Sequence, residues 1–184
     1  MIERVWRGCI FITHIYNKTT LTRKIILFGL SVFLAANIFG QEGKLYNPDA
    51  NANSDIEAAI KEAASKNKFV LIQAGGNWCS WCIEFSRFSK ADKKIDSVIA
   101  SSFVAYHLNW SKENRNDAVF AKYGYPQRFG FPVFIILDSK GERVHTQNSA
   151  YLEDGKKSYD AEKVLDFLEQ WSPKALDPTS YNKQ

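Results

Sequence analysis

Cysteine and histidine are scarce in this sequence, whose 184 residues include three of each. Only Cys79 and Cys82 lie beyond residue 40, and two cysteines are too few to form a disulfide scaffold. A zinc ion takes about four protein ligands, and the same part of the chain adds only His107 and His145 to the pair. We therefore expect no bound metal.

Net charge is also lacking once the N-terminal segment is set apart. The chain has 24 basic and 20 acidic side chains, but five of the basic residues and one acidic residue lie in residues 1–40. Residues 41–184 therefore carry equal numbers of each sign. Nucleic-acid binding driven by net charge has no support in such a chain.

The apolar run Ile25–Phe39 is shorter than the roughly 20 residues that a membrane-spanning helix needs. It follows Arg23 and Lys24 and ends in small residues, an order that is typical of a secretory signal. We expect residues 1–40 to be an N-terminal extension and cleaved signal peptide of a periplasmic or secreted protein, which meets the membrane only through this segment. An uncleaved anchor and a buried core helix are the alternatives. Since no cysteine follows the run, a lipoprotein is disfavoured.

Residues 41–184 are expected to form a single domain with a core over residues 54–171 and a polar C-terminal tail. An amphipathic helix would begin the core, with Ser54 and Glu57 as its capping box. A second helix is expected to begin at the cysteines and to continue through Ile95. The apolar runs that predict buried strands are Phe69–Ala74, Ser102–Trp110 and Val133–Asp138.

The order of these elements predicts the class of fold. Helices and strands alternate, a hairpin follows Asp138, and a helix over Asp160–Trp171 closes the domain. Alternation favours an α/β fold whose sheet is mostly parallel, flanked by helices and made mixed by the hairpin. Ligand chemistry in such sheets gathers beyond the carboxyl ends of the strands, and Cys79 and Cys82 follow the first strand directly.

The stretch "GGNWCSWC" places Cys79 at the first turn of a helix and Cys82 three residues later on the same face. Unpaired N–H groups and the helix dipole stabilise a thiolate there. The spacing predicts an exposed attacking thiol and a shielded resolving thiol. Half of a metal site and a static structural disulfide are the alternatives, although closing so short a loop removes little chain entropy.

"FVLIQAGGNWCSWC", followed some fifty residues later by "FPVFIILDSKGE", resembles the thioredoxin superfamily. The segment "WCIEFSRFSKADKKIDSVIASSFVAYHLN" is similar to the thioredoxin-like group that includes the C-terminal periplasmic domain of the disulfide reductase DsbD. This resemblance implies a thioredoxin fold in which Cys79 attacks and Cys82 resolves. It also implies that Pro132 is a cis-proline facing the pair, that Phe131 offers backbone hydrogen bonds to a peptide, and that no cofactor other than the redox-active disulfide is needed.

The sequence departs from the superfamily pattern behind the pair. Thioredoxins carry a buried aspartate where this chain has Gln73, and a glutamine can form hydrogen bonds but cannot take up a proton. His107 falls where thioredoxins place a lysine, and it could serve as a base near neutral pH. A core or surface histidine without a catalytic role is the alternative. Gly75 replaces an aromatic residue, which predicts a more open approach to Cys79.

Two tryptophans flank the first cysteine. Trp78 precedes the pair as in the superfamily and is expected to line the substrate surface. Trp81 lies between the cysteines and could add an apolar contact for unfolded chains, or it could pack against the domain.

The resemblance implies a thiol-disulfide oxidoreductase that exchanges disulfides with protein thiols or disulfides. In an oxidising compartment a reductase needs a membrane electron donor as a partner. A non-catalytic thioredoxin-like binding module with a locked disulfide is one alternative. A maturation factor that reduces apocytochrome c is another.

Overall fold

The computed structural model describes residues 44–182. The signal segment Ile25–Phe39 lies outside the described residues, so the signal peptide stays a prediction. The helices are α1 (Ala52–Ser65), α2 (Ser80–Ala91), α3 (Lys93–Ser102), α4 (Asp117–Lys122) and α5 (Ala161–Gln170). The strands are β1 (Phe69–Gly75), β2 (Phe103–Asn109), β3 (Val133–Leu137) and β4 (Arg143–Asn148), and short 3-10 turns occupy Pro126–Phe129, Ser149–Leu152 and Pro178–Ser180.

The four strands form one mixed sheet in the order β2-β1-β3-β4. β1 is parallel to β2 and antiparallel to β3, and β3 forms an antiparallel hairpin with β4. The mixed α/β fold and the hairpin are confirmed, but the expectation of a mostly parallel sheet is wrong. β3 enters beside Ala74, at the end of the sheet where β2 finishes, and therefore runs in the opposite direction.

Two predicted helix boundaries are wrong because other side chains cap the backbone. α1 begins at Ala52, since the Asn51 side chain accepts a hydrogen bond from the Ser54 N–H and takes the capping role. The single helix expected to run from the cysteines through Ile95 is two helices. Asp92 ends α2, and its carboxylate accepts hydrogen bonds from two N–H groups in the first turn of α3.

The core lies on both faces of the sheet because alternate residues of a strand point to opposite faces. On one face, Val70 and Ile72 of β1 pack with Ile56 of α1. On the other face, Phe134 of β3 packs with Phe85 of α2. β3 is buried along its whole length, whereas β2 is an edge strand with a partly exposed middle, so the prediction of full burial is wrong for it.

Within residues 44–182, no helix has both the length and the apolar character that a bilayer crossing requires.

Candidate redox site

Cys79 and Cys82 are joined as a disulfide at the N-terminus of α2. Cys79 is the N-cap residue, and its Sγ accepts a hydrogen bond from the Cys82 N–H at 3.1 Å. Cys82 is fully buried, as expected for a shielded resolving thiol. The expectation of an exposed attacking thiol is wrong for this oxidised state, because Cys79 is only 5% exposed and packs in one cluster with Tyr46 and Phe131.

Gln73 lies directly behind the pair and joins it to a second buried polar group. Its side-chain amide donates to the Tyr46 hydroxyl at 2.7 Å and to the Cys82 carbonyl at 2.9 Å. Both amide hydrogens are thereby used. Burial raises the pKa of Tyr46 well above its ordinary value, so the phenol keeps its proton across the physiological range.

Tyr46 precedes α1 and is held by the loop that leads to the cysteines. Its backbone N–H donates to Asn77 Oδ1 at 3.0 Å, and Asn77 Nδ2 donates to its carbonyl at 2.7 Å. One amide side chain therefore satisfies both backbone groups of the tyrosine. Sequence reasoning missed Tyr46, since it lies in a polar lead-in without periodicity and its partner is 31 residues away.

Gly75 leaves room for the two buried groups rather than for a substrate. A Cβ atom added there would lie 2.4 Å from Cys82 Sγ and 2.9 Å from Tyr46 Oη. The expectation that this glycine opens the approach to Cys79 is therefore wrong. Its missing side chain faces the interior, where the tyrosine hydroxyl and the resolving sulfur converge.

His107 pairs with Gln73 across β1 and β2 and presents its ring edge-on to Tyr46, with 5.6 Å between the ring centroids. Burial, and to a smaller extent the charge of Lys90, lowers the pKa of His107 to about 4. Such a ring is neutral near neutral pH and takes up no proton there. This position favours the alternative of a buried histidine over that of a base.

The opposite side of the pair is an open aromatic surface. Trp78 is 57% exposed, and its indole N–H donates to the Trp110 carbonyl at 2.8 Å. Its ring meets the rings of Trp110 and Phe131 edge-on, with centroids 6.0 and 5.6 Å apart. The peptide bond between Phe131 and Pro132 is cis. Trp78 and Phe131 are thus brought together beside Cys79.

Trp81 does not share that surface. It is half-buried and packs edge-on against Tyr159, with ring centroids 5.4 Å apart. The Tyr159 hydroxyl donates to the Trp81 carbonyl at 3.0 Å, which ties the turn between the cysteines to the segment before α5. Packing against the domain, rather than a contact for clients, is the role that the structure supports.

Among residues 44–182, no group of three or more histidine, cysteine or acidic side chains is arranged to hold a metal ion.

Comparison with protein families and curated proteins extends these observations. A family model described as thioredoxin-like matches residues 51–139. The thiol:disulfide interchange protein DsbD of Salmonella typhi is 23% identical over 144 residues, which cover 73% of this chain and 25% of the relative. DsbD of Salmonella paratyphi A is 22% identical with the same coverage. The chain spans about a quarter of the length of the curated relatives it matches.

Among solved structures, the chain is similar to a disulphide isomerase from Xylella fastidiosa Temecula1. The TM-score is 0.61 at 23% identity, and the match covers 70% of this chain and 97% of the other. At this identity the likeness shows the fold. Together with the family match and the cysteine pair at the start of α2, it shows that the chain has a thioredoxin-like fold and resembles DsbD.

Proposed function

We propose that this protein is a secreted thiol-disulfide reductase that acts on protein substrates. The observation that carries the proposal is the Cys79–Cys82 disulfide at a helix N-terminus, with an open aromatic surface on one side and a buried polar network on the other. The signal segment Ile25–Phe39 and the name of the relatives, thiol:disulfide interchange protein, support periplasmic exchange.

The proposed cycle begins with both cysteines reduced. The Cys79 thiolate attacks one sulfur of a client disulfide, a bond forms between Cys79 and the client, and the other client sulfur leaves as a thiolate that takes up a proton. The Cys82 sulfur then attacks Cys79 Sγ and displaces the remaining client sulfur. Two electrons pass to the client, the Cys79–Cys82 disulfide forms, and the proton lost by Cys82 ends on the released thiol.

Client contact is proposed for the side of the pair that bears Trp78 and Phe131. Trp78 offers a large aromatic face at low conformational cost, and its edge-on contact with Phe131 fixes the orientation of both rings. Pro132 follows Phe131 at the entrance to β3, so the backbone before it is available to a client in an extended conformation.

The direction of electron flow follows from what surrounds the buried sulfur. A strongly oxidising disulfide requires a reduced state in which the thiolate is well stabilised, as beside a cation. Here the groups behind Cys82 are the amide of Gln73 and the protonated phenol of Tyr46, with the neutral ring of His107 beyond them. None of these groups carries a positive charge. We therefore propose that the pair reduces its clients and that an electron donor, proposed to be a membrane protein, restores the thiols.

A trapping experiment tests this proposal. Replacing the resolving thiol by Cys82→Ser stops the cycle at the mixed disulfide. The reduced variant is mixed with a model peptide that contains one intramolecular disulfide, and adducts are detected by mass spectrometry. We expect a peptide adduct that dithiothreitol releases.

The matched control is Cys79→Ser, which keeps one buried thiol but lacks the attacking one and is expected to form no adduct. If Cys82→Ser forms no adduct either, the protein is instead a binding module whose disulfide is locked. If only the oxidised wild-type protein reacts, and only with reduced peptide, the protein is an oxidant and the proposed direction is wrong.

A further inference from the structure

Tyr46 has a buried hydroxyl whose hydrogen has no acceptor among residues 44–182. The oxygen accepts a hydrogen bond from Gln73, which fixes the direction of one lone pair. The ring is fully buried, and its backbone is held at both N–H and carbonyl by Asn77. The position of the hydroxyl is therefore determined from two sides, while its own proton is free to be donated.

The resolving cysteine shares the space behind Gly75 with this hydroxyl. Both groups border the space that a side chain at Gly75 would fill. A Cβ atom added to Gly75 would lie 2.4 Å from Cys82 Sγ and 2.9 Å from Tyr46 Oη. The two atoms therefore lie no farther apart than the sum of these distances. In the oxidised protein this sulfur is bonded to Cys79 and is a weak acceptor, but as a thiolate it accepts strongly.

We propose that Tyr46 donates a hydrogen bond to the Cys82 thiolate during the step that resolves the mixed disulfide. This inference rests on the proposed function. The Gln73 amide cannot take up a proton, so Gln73 cannot act as a base for Cys82. The tyrosine stabilises the charged sulfur instead, keeps its own proton throughout, and is aligned for this role by the Gln73 amide.

The other titratable groups that face this site leave its charge unchanged near neutral pH. His107 of β2 is neutral because its pKa lies at about 4. Tyr159, from the segment before α5, has a pKa raised by burial and stays protonated. Cys79 is consumed in the mixed disulfide at this step. The rate at which Cys82 resolves the mixed disulfide should therefore vary between about pH 6 and pH 9 with the ionisation of Cys82. The ordinary pKa of a cysteine thiol lies in that range.

The experiment replaces Tyr46 by phenylalanine, which keeps the ring and removes the hydroxyl. The mixed disulfide with the model peptide is formed on reduced protein, and release of the peptide is followed by rapid quenching from about pH 6 to pH 9. We expect Tyr46→Phe to move the pH profile of release upward by about one pH unit, since a hydrogen bond to a charged group is lost. Release at neutral pH should slow about threefold, because the remaining thiolate is more nucleophilic.

A second readout separates this role from a structural one. In the Cys82→Ser background, formation of the mixed disulfide depends on Cys79 alone, and adding Tyr46→Phe is expected to leave its rate unchanged. Tyr106→Phe is the matched control, because its hydroxyl contacts Asp55 of α1 and not the cysteines. Its release profile should equal that of the wild-type protein.

The outcomes distinguish the inference from the function beneath it. If Cys82→Ser traps the peptide and Tyr46→Phe releases it with the wild-type profile, the tyrosine has no such role although the exchange is real. If Cys82→Ser traps nothing, the proposed function fails first. If Tyr46→Phe does not fold, Gln73→Met removes the amide that orients the hydroxyl, and an unchanged release profile in that variant would overturn the inference.

Discussion

The disulfide separates two regions of opposite character. Behind it, Tyr46 and Gln73 are almost completely buried and joined by a 2.7 Å hydrogen bond. In front of it, Trp78 is more than half exposed and meets Phe131 only through the edge of a ring. Under the proposed function, the comparison predicts that the two thiols are controlled separately. The buried region is expected to adjust the chemistry of Cys82, and the exposed region is expected to select what reaches Cys79.

The largest effect is expected from Gly75→Ala, which puts a methyl group into the buried region. The new Cβ would lie 2.4 Å from Cys82 Sγ, far inside contact distance, and the sulfur cannot move while it is bonded to Cys79. We expect the oxidised protein to lose at least about 3 kcal/mol of stability, at the upper end of overpacking effects. Denaturant unfolding of the oxidised protein measures this loss.

Gly155→Ala is the control for a change of glycine to alanine. Gly155 has a φ of +75°, and nothing lies within 4 Å of a Cβ added there, so the cost comes from the backbone alone. It should be about 1–2 kcal/mol. A loss at Gly75 no greater than this would mean that the region behind the disulfide is not tightly packed.

The next effect concerns acid stability, which His107 is expected to limit. The unfolded chain binds a proton at this residue near its ordinary pKa of 6.5, whereas the folded protein binds it only near about 4. The stability that this difference contributes above pH 6.5 is therefore lost as the pH falls through this window, by about 3 kcal/mol. His107→Gln should remove most of this loss from the free energy of unfolding measured between pH 7 and pH 4.

His145→Gln is the matched variant away from the cysteines. Burial also lowers the pKa of His145, whose ring stacks on Trp171 with centroids 3.9 Å apart, but its surroundings are less enclosed than those of His107. We expect a smaller change in the same direction. Equal pH dependence in wild type and His107→Gln would contradict the assignment of His107 to the buried region.

Trp78→Ala, in the exposed region, is expected to have the smallest effect on stability. Its main effect should be on the rate of attack on the peptide. Removing this aromatic face should slow attack on the peptide disulfide about tenfold, as loss of a binding hot spot does. The rate of adduct formation in the Cys82→Ser background measures the change. Tyr151→Ala removes a ring that is 73% exposed elsewhere and should leave the rate unaltered. Equal rates for both variants would show that clients do not bind at Trp78.

The sequence predicted what depends on local pattern. Cys79 and Cys82 were expected at a helix N-terminus after a buried strand, and the structure confirms that placement. The break at Asp92 was missed, although aspartate is a favoured N-cap residue and Asp96 supplies the acidic side chain of the first turn of α3. The apolar positions on both sides of it continued one helical face and concealed the break.

What could not be predicted depends on contacts between distant segments. The hydroxyl of Tyr46 meets Gln73, 27 residues later, only after β1 and the lead-in are placed side by side. Gly75 was interpreted as an opening because sequence gives no direction to a missing side chain. The antiparallel pairing of β1 with β3 was likewise invisible, since the order of elements does not fix the end of the sheet at which a strand enters.

The pair of hydrogen bonds between Asn77 and the backbone of Tyr46 has a practical consequence for anyone who shortens this protein. The family match begins at residue 51, so a domain boundary drawn there would appear natural. A protein cut at that boundary would keep the sheet, the helices and both cysteines. It would lose the tyrosine, and with it both partners of the Asn77 side chain and one of the two partners of the Gln73 amide. Rates measured on such a protein would misreport how fast the intact protein turns over.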